Sequence, residues 1–230
     1  MAKKSGKTMI ITIDGPSGAG KSTVARMVAR TLGYRYIDTG AMYRGIAYAF
    51  KTLNPMQYVQ SDYNNIEQFL KDLQISFEFG ETARVLLEGE DISEEIRDPG
   101  ISLLASKLSQ DRNVREYLTV RQRETGKNGG VVLEGRDTGS VVFPDASVKF
   151  YLDANQDERA KRRHLELSLK GVKSGQAVVK EEMQKRDRDD SERAIAPLVV
   201  PEHAIYIDTS ELDAKGVADR MLSFIFESEA

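Results

Sequence analysis

Eight consecutive residues, Gly15-Pro16-Ser17-Gly18-Ala19-Gly20-Lys21-Ser22, fit the phosphate-binding pattern G-x-x-x-x-G-K-[ST]. The apolar run Met9–Ile13 precedes them and an apolar pattern at helical spacing follows. Between a buried strand and a helix, such a loop points backbone N–H groups into one small hollow and so holds phosphate. Lys21 would reach the β- and γ-phosphates, and the Ser22 hydroxyl would hold Mg²⁺. The competing reading is a Gly-rich turn with an exposed lysine. The setting between strand and helix favours a nucleoside triphosphate site.

Further segments carry groups suited to anions. Asp38-Thr39-Gly40-Ala41-Met42-Tyr43-Arg44 follows a second apolar run, and open α/β sheets bind ligands at the carboxyl ends of their strands. By itself this segment also reads as a helix-capping turn. Val131-Val132-Leu133-Glu134-Gly135-Arg136-Asp137 places an acid at a strand end, where a Mg²⁺-associated carboxylate belongs, with Arg136 and Asp137 just beyond it. A surface ion pair is the alternative there. In the run from Arg186 to Arg193, Arg186, Asp190 and Arg193 fall within about 60° on one helical face. A solvated helix laced with i,i+4 pairs would use the same residues. Glu158-Arg159-Ala160-Lys161-Arg162-Arg163 is a basic knot able to clamp triphosphate oxygens. No aromatic residues interleave with it for base stacking, which disfavours a nucleic-acid patch.

Strand-like and helix-like runs alternate, the pattern of a parallel sheet flanked by helices. The expected strands are Met9–Ile13, Tyr34–Ile37, Val131–Leu133, Val148–Leu152 and Ala204–Ile207; the helices include Ser22–Leu32, Val114–Glu124, Asp157–Leu169 and Lys215–Phe226. One region departs from this order. Ile75–Phe79, a turn at Gly80, and Arg84–Leu87 read as an antiparallel hairpin preceded by a helix over Ile66–Leu73, an insertion spanning 62–97. Gly171–Gly175 is a polar stretch suited to a mobile segment.

At 230 residues the chain can bury a core as one domain over 1–230, with room for an inserted subdomain. A net charge of −3 gives no global positive field for nucleic acid or membrane. The absence of cysteine removes disulfides and thiol nucleophiles, and His164 and His203 lie too far apart for zinc-ligand spacing. Met1–Thr8 is basic, but the apolar run after it is too short for a signal sequence. A cytoplasmic monomer is the expectation.

In this order, IDGPSGAGKST, IDTGAMYR, LEGED, EGRDTGSVVFPDA and RDRDDSERAIAPL resemble the bacterial cytidylate kinases over essentially the whole chain. The phosphate loop is shared widely; the last two segments are much narrower signatures. The resemblance implies an α/β fold of the P-loop nucleoside monophosphate kinase type. Its parts are a five-stranded parallel sheet with flanking helices, an inserted monophosphate-binding subdomain (62–97) and an arginine-rich lid (158–176). It implies transfer of the γ-phosphoryl group of ATP to CMP or dCMP with Mg²⁺, in pyrimidine nucleotide metabolism. ATP would be bound by Gly15 to Thr23: Gly15, Pro16, Ser17, Gly18, Ala19, Gly20, Lys21, Ser22 and Thr23. By motif match, Thr39, Tyr43, Arg44, Arg136 and Arg193 surround the acceptor phosphate. Ser106, Arg115 and Asp137 face cytosine, and Arg186 and Asp190 hold the sugar. Lys21, Arg136, Arg193, Arg159, Arg162 and Arg163 would carry the catalytic charge, with Ser22 and Glu134 at the metal. Thr39 stands where many members carry Ser and keeps the hydroxyl. Glu134 stands where Asp is common and lengthens the reach to the metal.

A phosphate monoester is largely dianionic at neutral pH and needs no general base, consistent with cleft segments that carry no histidine. The remaining task is to align two anions and neutralise their repulsion through a loose transition state. Rival readings are another small-molecule kinase on the same core, such as an adenylate, thymidylate or shikimate kinase, and a non-catalytic nucleotide- or RNA-binding protein.

Overall fold

Ile10 to Asp14 forms the first strand, β1, because β-branched residues with both faces covered suit a parallel sheet. It pairs in parallel with Val131–Glu134 on one side and Val148–Asp153 on the other, in the registers Ile13↔Glu134 and Asp14↔Tyr151. These registers bring the carboxyl ends of three strands level. The computed structural model describes residues 8–60, 62–80 and 83–227. Of the basic segment Met1–Thr8, all but Thr8 lies outside them, as do Glu81 and Thr82 of the hairpin turn.

In chain order the elements are β1, α1 (Lys21–Leu32), β2 (Arg35–Asp38), α2 (Thr39–Leu53), α3 (Pro55–Gln60), α4 (Ile66–Asp72), β3 (Ile75–Phe79), β4 (Ala83–Leu87), β5 (Glu90–Asp91), α5 (Pro99–Leu108), α6 (Arg112–Gly126), β6 (Val131–Glu134), β7 (Val148–Asp153), α7 (Gln156–Leu169), α8 (Gln176–Glu192), β8 (Ile205–Asp208) and α9 (Ala214–Glu227). A wide five-residue turn, Thr138–Val142, follows β6. Each expected strand is present, displaced toward its carboxyl end by a residue at most. The five-stranded sheet has the order β2-β6-β1-β7-β8, and β3-β4-β5 form a separate antiparallel sheet. Among the described residues, no helix is long and apolar enough to cross a membrane.

The chain divides into two compact units. The first runs up to Arg35 and resumes at Gly126. Ile11, Ile13, Val131, Val132, Leu133, Phe150 and Leu152 are fully buried in it. Helix α1 turns Val24, Ala25 and Val28 inward, and α9 turns Val217, Met221 and Ile225 inward. Their 3–4-residue spacing gives each helix a single apolar stripe. Helices α7 and α8 share a smaller cluster of Ala160, Leu167, Val179 and Met183. The polar stretch 171–175 is the connection between them.

The second unit covers Tyr36–Thr125. Met42, Ile46 and Phe50 of α2 pack with Ile101, Leu104 and Leu108 of α5 and with Val114 and Leu118 of α6. The β3–β4 hairpin pairs Ile75 with Leu87 and Phe79 with Ala83, and Val85 and Leu87 bury against Ala41 and Ala49. The insertion expected over 62–97 thus takes its place in a larger unit whose central helix is α2. Neither the course of α2 beyond its capping turn nor α5 is among the helices expected from the sequence.

Candidate phosphoryl-transfer site

Beyond β1 the chain turns sharply at Gly15, whose φ is 145°. A Cβ there would lie 1.9 Å from the Leu152 carbonyl oxygen of β7, so no other residue fits. The loop closes at Gly20, which caps α1 without a capping side chain, leaving the first amides of α1 to an anion. Lys21 begins the helix and is buried; its Nζ donates to the Pro16 carbonyl at 2.6 Å. Burial, reinforced by Arg136 and Arg186, brings the Lys21 ammonium down to about 7, although Glu134 and Asp14 oppose the fall. Cations are crowded at a loop built for an anion. A bound polyphosphate would relieve that crowding.

Four of the expected residues meet within the first unit. Asp190 of α8 accepts from Arg136 Nε at 3.0 Å through one carboxylate oxygen and from Arg193 Nη1 at 3.3 Å through the other. Arg193 Nη2 also lies 3.7 Å from Asp137 Oδ1. Burial pushes the Asp190 carboxyl up, but Arg136, Arg186 and Arg193 outweigh it and hold the group below the usual carboxylate range. Sequence spacing put Arg186, Asp190 and Arg193 on one helical stripe. The helix in fact ends at Glu192, and Arg193 is extended, its Nε donating to the Ala196 carbonyl at 2.6 Å.

The arginines of α7 are tied down. Arg159 is buried and donates to the Ala154 carbonyl at 2.9 Å, to the Ser17 carbonyl at 3.1 Å and to Asp187 of α8. Asp187 in turn accepts from the Ser17 amide at 3.1 Å, so the phosphate loop is fixed to α7 and α8 through two charged groups. Arg162 donates to the Thr209 hydroxyl and carbonyl and to Glu158. Arg163 pairs with Glu166 at 2.8 Å nearer the surface.

In the second unit, Asp38 caps α2 by accepting from the Ala41 amide at 2.8 Å, and it also accepts from Arg44 Nη2 at 3.1 Å. The capping reading of this segment is therefore realised, and the same carboxylate also holds Arg44. Thr39 is buried in the first turn of α2, and Tyr43 follows one turn later. The Arg115 guanidinium lies over the Tyr43 ring at 5.5 Å and donates to the Ser109 carbonyl at 3.0 Å. Ser106, on α5, presents its carbonyl to the Ser109 hydroxyl at 2.7 Å.

Ser22 in the first turn of α1 and buried Glu134 at the end of β6 are oxygen donors suited to Mg²⁺. Among the described residues, no group of three or more His, Asp or Glu could form a dedicated cage. Mg²⁺ takes one or two protein oxygens and completes its shell with substrate phosphates and water, a demand that one hydroxyl and one carboxylate can meet.

Sequence reasoning missed Asp14, Thr138 and Asp187. Asp14 carried a faint signal, as an ionisable residue ending an apolar strand. Asp187 had none separable from its charged neighbours.

A family model for cytidylate kinase matches residues 11–227. A cytidylate kinase of Caldanaerobacter subterraneus subsp. tengcongensis is 48% identical over 218 residues, covering 95% of each chain. One from Syntrophotalea carbinolica is 46% identical over 224 residues, 97% of this chain and 94% of that protein. One from Bacillus cereus strain B4264 is 44% identical over 220 residues, 95% of this chain and 96% of that protein. Among solved structures, a shikimate kinase from Bacteroides thetaiotaomicron is similar in fold, with a TM-score of 0.51 at 12% identity over 95% of this chain and 99% of that one.

Proposed function

The chain belongs to the cytidylate kinase family, and on that premise we propose that it transfers the γ-phosphoryl group of ATP to CMP or dCMP through the residues assigned below. The products are ADP and CDP or dCDP. One observation carries the donor side of this reading: buried Lys21 at the head of α1, its charge disfavoured by burial and by Arg136 and Arg186. Polyphosphate oxygens supply the missing counter-charge.

The loop amides from Gly15 to Thr23 and Lys21 hold the triphosphate. Ser22 and Glu134 would hold Mg²⁺, which would supply counter-charge to the phosphate oxygens. From the motif resemblance, Thr39, Tyr43, Arg44, Arg136 and Arg193 take the acceptor phosphate, and Arg186 and Asp190 the sugar. The acceptor attacks as a phosphate dianion, so the protein's task is alignment and charge stabilisation, with no proton to remove. Segment 158–176 serves as the lid and 62–97 as the monophosphate subdomain. Arg159, Arg162 and Arg163 gain strength as water is excluded.

Cytosine is distinguished by its N4 amino group, which the Asp137 carboxylate accepts, and by O2 and N3, which Arg115 and Ser106 satisfy. Uracil presents O4 instead and leaves two acceptors facing one another. The enzyme acts as a cytoplasmic monomer on two small nucleotides, without nucleic acid or membrane as partner.

A coupled assay for ADP release tests this with CMP, dCMP, UMP and AMP as acceptors. CMP and dCMP should turn over clearly faster than the other two, and Lys21→Ala and Arg193→Ala should lose activity while folded. Equal turnover of UMP would overturn the cytosine assignment.

A further inference from the structure

The wide turn Thr138–Val142 begins at Asp137, whose own side chain makes no capping hydrogen bond to it. An aspartate in that position ordinarily accepts from the first free amides of its turn. Here Asp14, at the end of β1, takes over that duty. Its Oδ1 accepts from the Thr138 amide and the Thr138 hydroxyl, each at 2.8 Å, and its Oδ2 accepts from the Gly139 amide at 2.7 Å. The approach is close enough that a Cβ on Gly139 would lie 2.7 Å from Thr12 Oγ1 and 3.2 Å from Asp14 Oδ2. Asp14 is fully buried and 124 residues from Thr138 in sequence.

We propose that Asp14 is a positioning residue for base selection: by capping the Thr138–Val142 turn from the neighbouring strand, it releases the Asp137 carboxylate from capping and fixes it for the cytosine amino group. The inference rests on the assignment of Asp137 to cytosine. With Asp14 in place, Asp137 lies beside Arg193 instead of folding back on its own turn. Without it, the free amides of Thr138 and Gly139 would draw the Asp137 carboxylate toward themselves, since buried donors do not stay unpaired. The strand that opens the phosphate loop thereby also sets the group that reads the acceptor base.

The readout is the ratio of kcat/KM for CMP to that for UMP, measured in wild type, Asp14→Asn, Thr138→Val, Asp137→Asn and the double variant Asp14→Asn/Asp137→Asn. Asparagine turns one of the two acceptor oxygens into a donor facing an amide. Valine keeps the shape of Thr138 and deletes one of the three bonds. Asp137→Asn should lower the ratio about tenfold or more, the size of one lost polar pair. Asp14→Asn should lower it comparably, and the double variant should fall no further than Asp137→Asn alone, because Asp14 acts through Asp137. Thr138→Val should lower it about threefold. A purely structural role would reduce turnover of both acceptors in proportion and leave the ratio unchanged. A wild-type ratio in Asp14→Asn and Thr138→Val, with a collapsed ratio in Asp137→Asn, overturns the proposal. If Asp14→Asn does not fold, Thr138→Val decides alone. A wild-type ratio in Asp137→Asn itself overturns the cytosine assignment first, and the role of Asp14 with it.

Discussion

Arg136 and Asp190, 54 residues apart in sequence, meet at 3.0 Å, and the second oxygen of the same carboxylate holds Arg193. One acid thus spaces two guanidinium groups that would otherwise repel each other. Arg136 follows a strand and Arg193 follows a helix, so their relation depends on Asp190 rather than on either element. With that acid gone, both cations stay largely buried without their shared partner.

Asp190→Ala is accordingly expected to be more harmful than a surface substitution. Removing one partner of a buried ion pair commonly costs about 3–5 kcal/mol. Because the bound acceptor can take up part of the exposed positive charge, the loss in kcat/KM for CMP should be about 10²–10³-fold. Steady-state kinetics beside a melting curve check this. A change within threefold would show that the two arginines are held by other groups.

Lys21 separates stability from activity. Its amine is buried and its charge disfavoured, which is a cost the nucleotide-free protein carries for the sake of its substrate. Lys21→Met keeps the stem and deletes the charge. We expect turnover to fall by at least about 10²-fold while the nucleotide-free protein gains about 1–3 kcal/mol. ATP should raise the melting temperature of the variant less than that of wild type. A variant less stable than wild type without nucleotide would contradict the field described at this loop.

Much of the parallel sheet was legible because its strands are short apolar runs ending in polar groups, as with Met9–Ile13 and Val131–Leu133. The loop was legible because backbone geometry restricts it to glycine at Gly15. Helix α2 was announced only by its start: the segment from Asp38 reads as a helix-capping turn, which Asp38 provides, but its fifteen-residue course to Leu53 was not marked. The charged run 186–193 announced an arginine stripe but not its partners, because a helical wheel shows spacing within one helix alone. Arg136 follows β6 and Asp14 ends β1, so neither Asp190 nor Thr138 finds its partner within its own element. The missed residues all make contacts of long sequence separation.

The α7 and α8 ties to the loop give another test. Asp187 accepts from the Ser17 amide and pairs with Arg159, which itself holds the Ser17 carbonyl. Asp187→Ala removes the acceptor and leaves buried Arg159 with only the more distant Asp153 carboxylate, at 3.7 Å. The apparent KM for ATP should rise about tenfold, with a smaller effect on the KM for CMP, since the loop holds the donor. Equal changes in both constants would show general loosening instead. Lys215→Ala, whose partner Asp219 on α9 is exposed, should change neither constant by more than about twofold.

Asp14 yields a pH dependence of definite sign. Burial raises its carboxyl from the ordinary 3.8 to about 6, although the Gly139 and Thr138 amides and the Thr138 hydroxyl pull it the other way. The folded protein therefore binds this proton more tightly than the unfolded chain. The group's contribution to stability is full below about pH 4 and is lost as pH rises through about 6, a change of about 3 kcal/mol. Asp190 and other carboxylates held low run in the opposite direction, so total stability is a poor readout. The difference between wild type and Asp14→Asn isolates the group, because asparagine does not titrate. Urea denaturation between pH 4 and 8 should show wild type gaining on the variant as pH falls, most steeply near pH 5, between the unfolded and folded values. A difference that stays constant across this range would mean that the three hydrogen bonds outweigh burial and keep Asp14 ionised throughout.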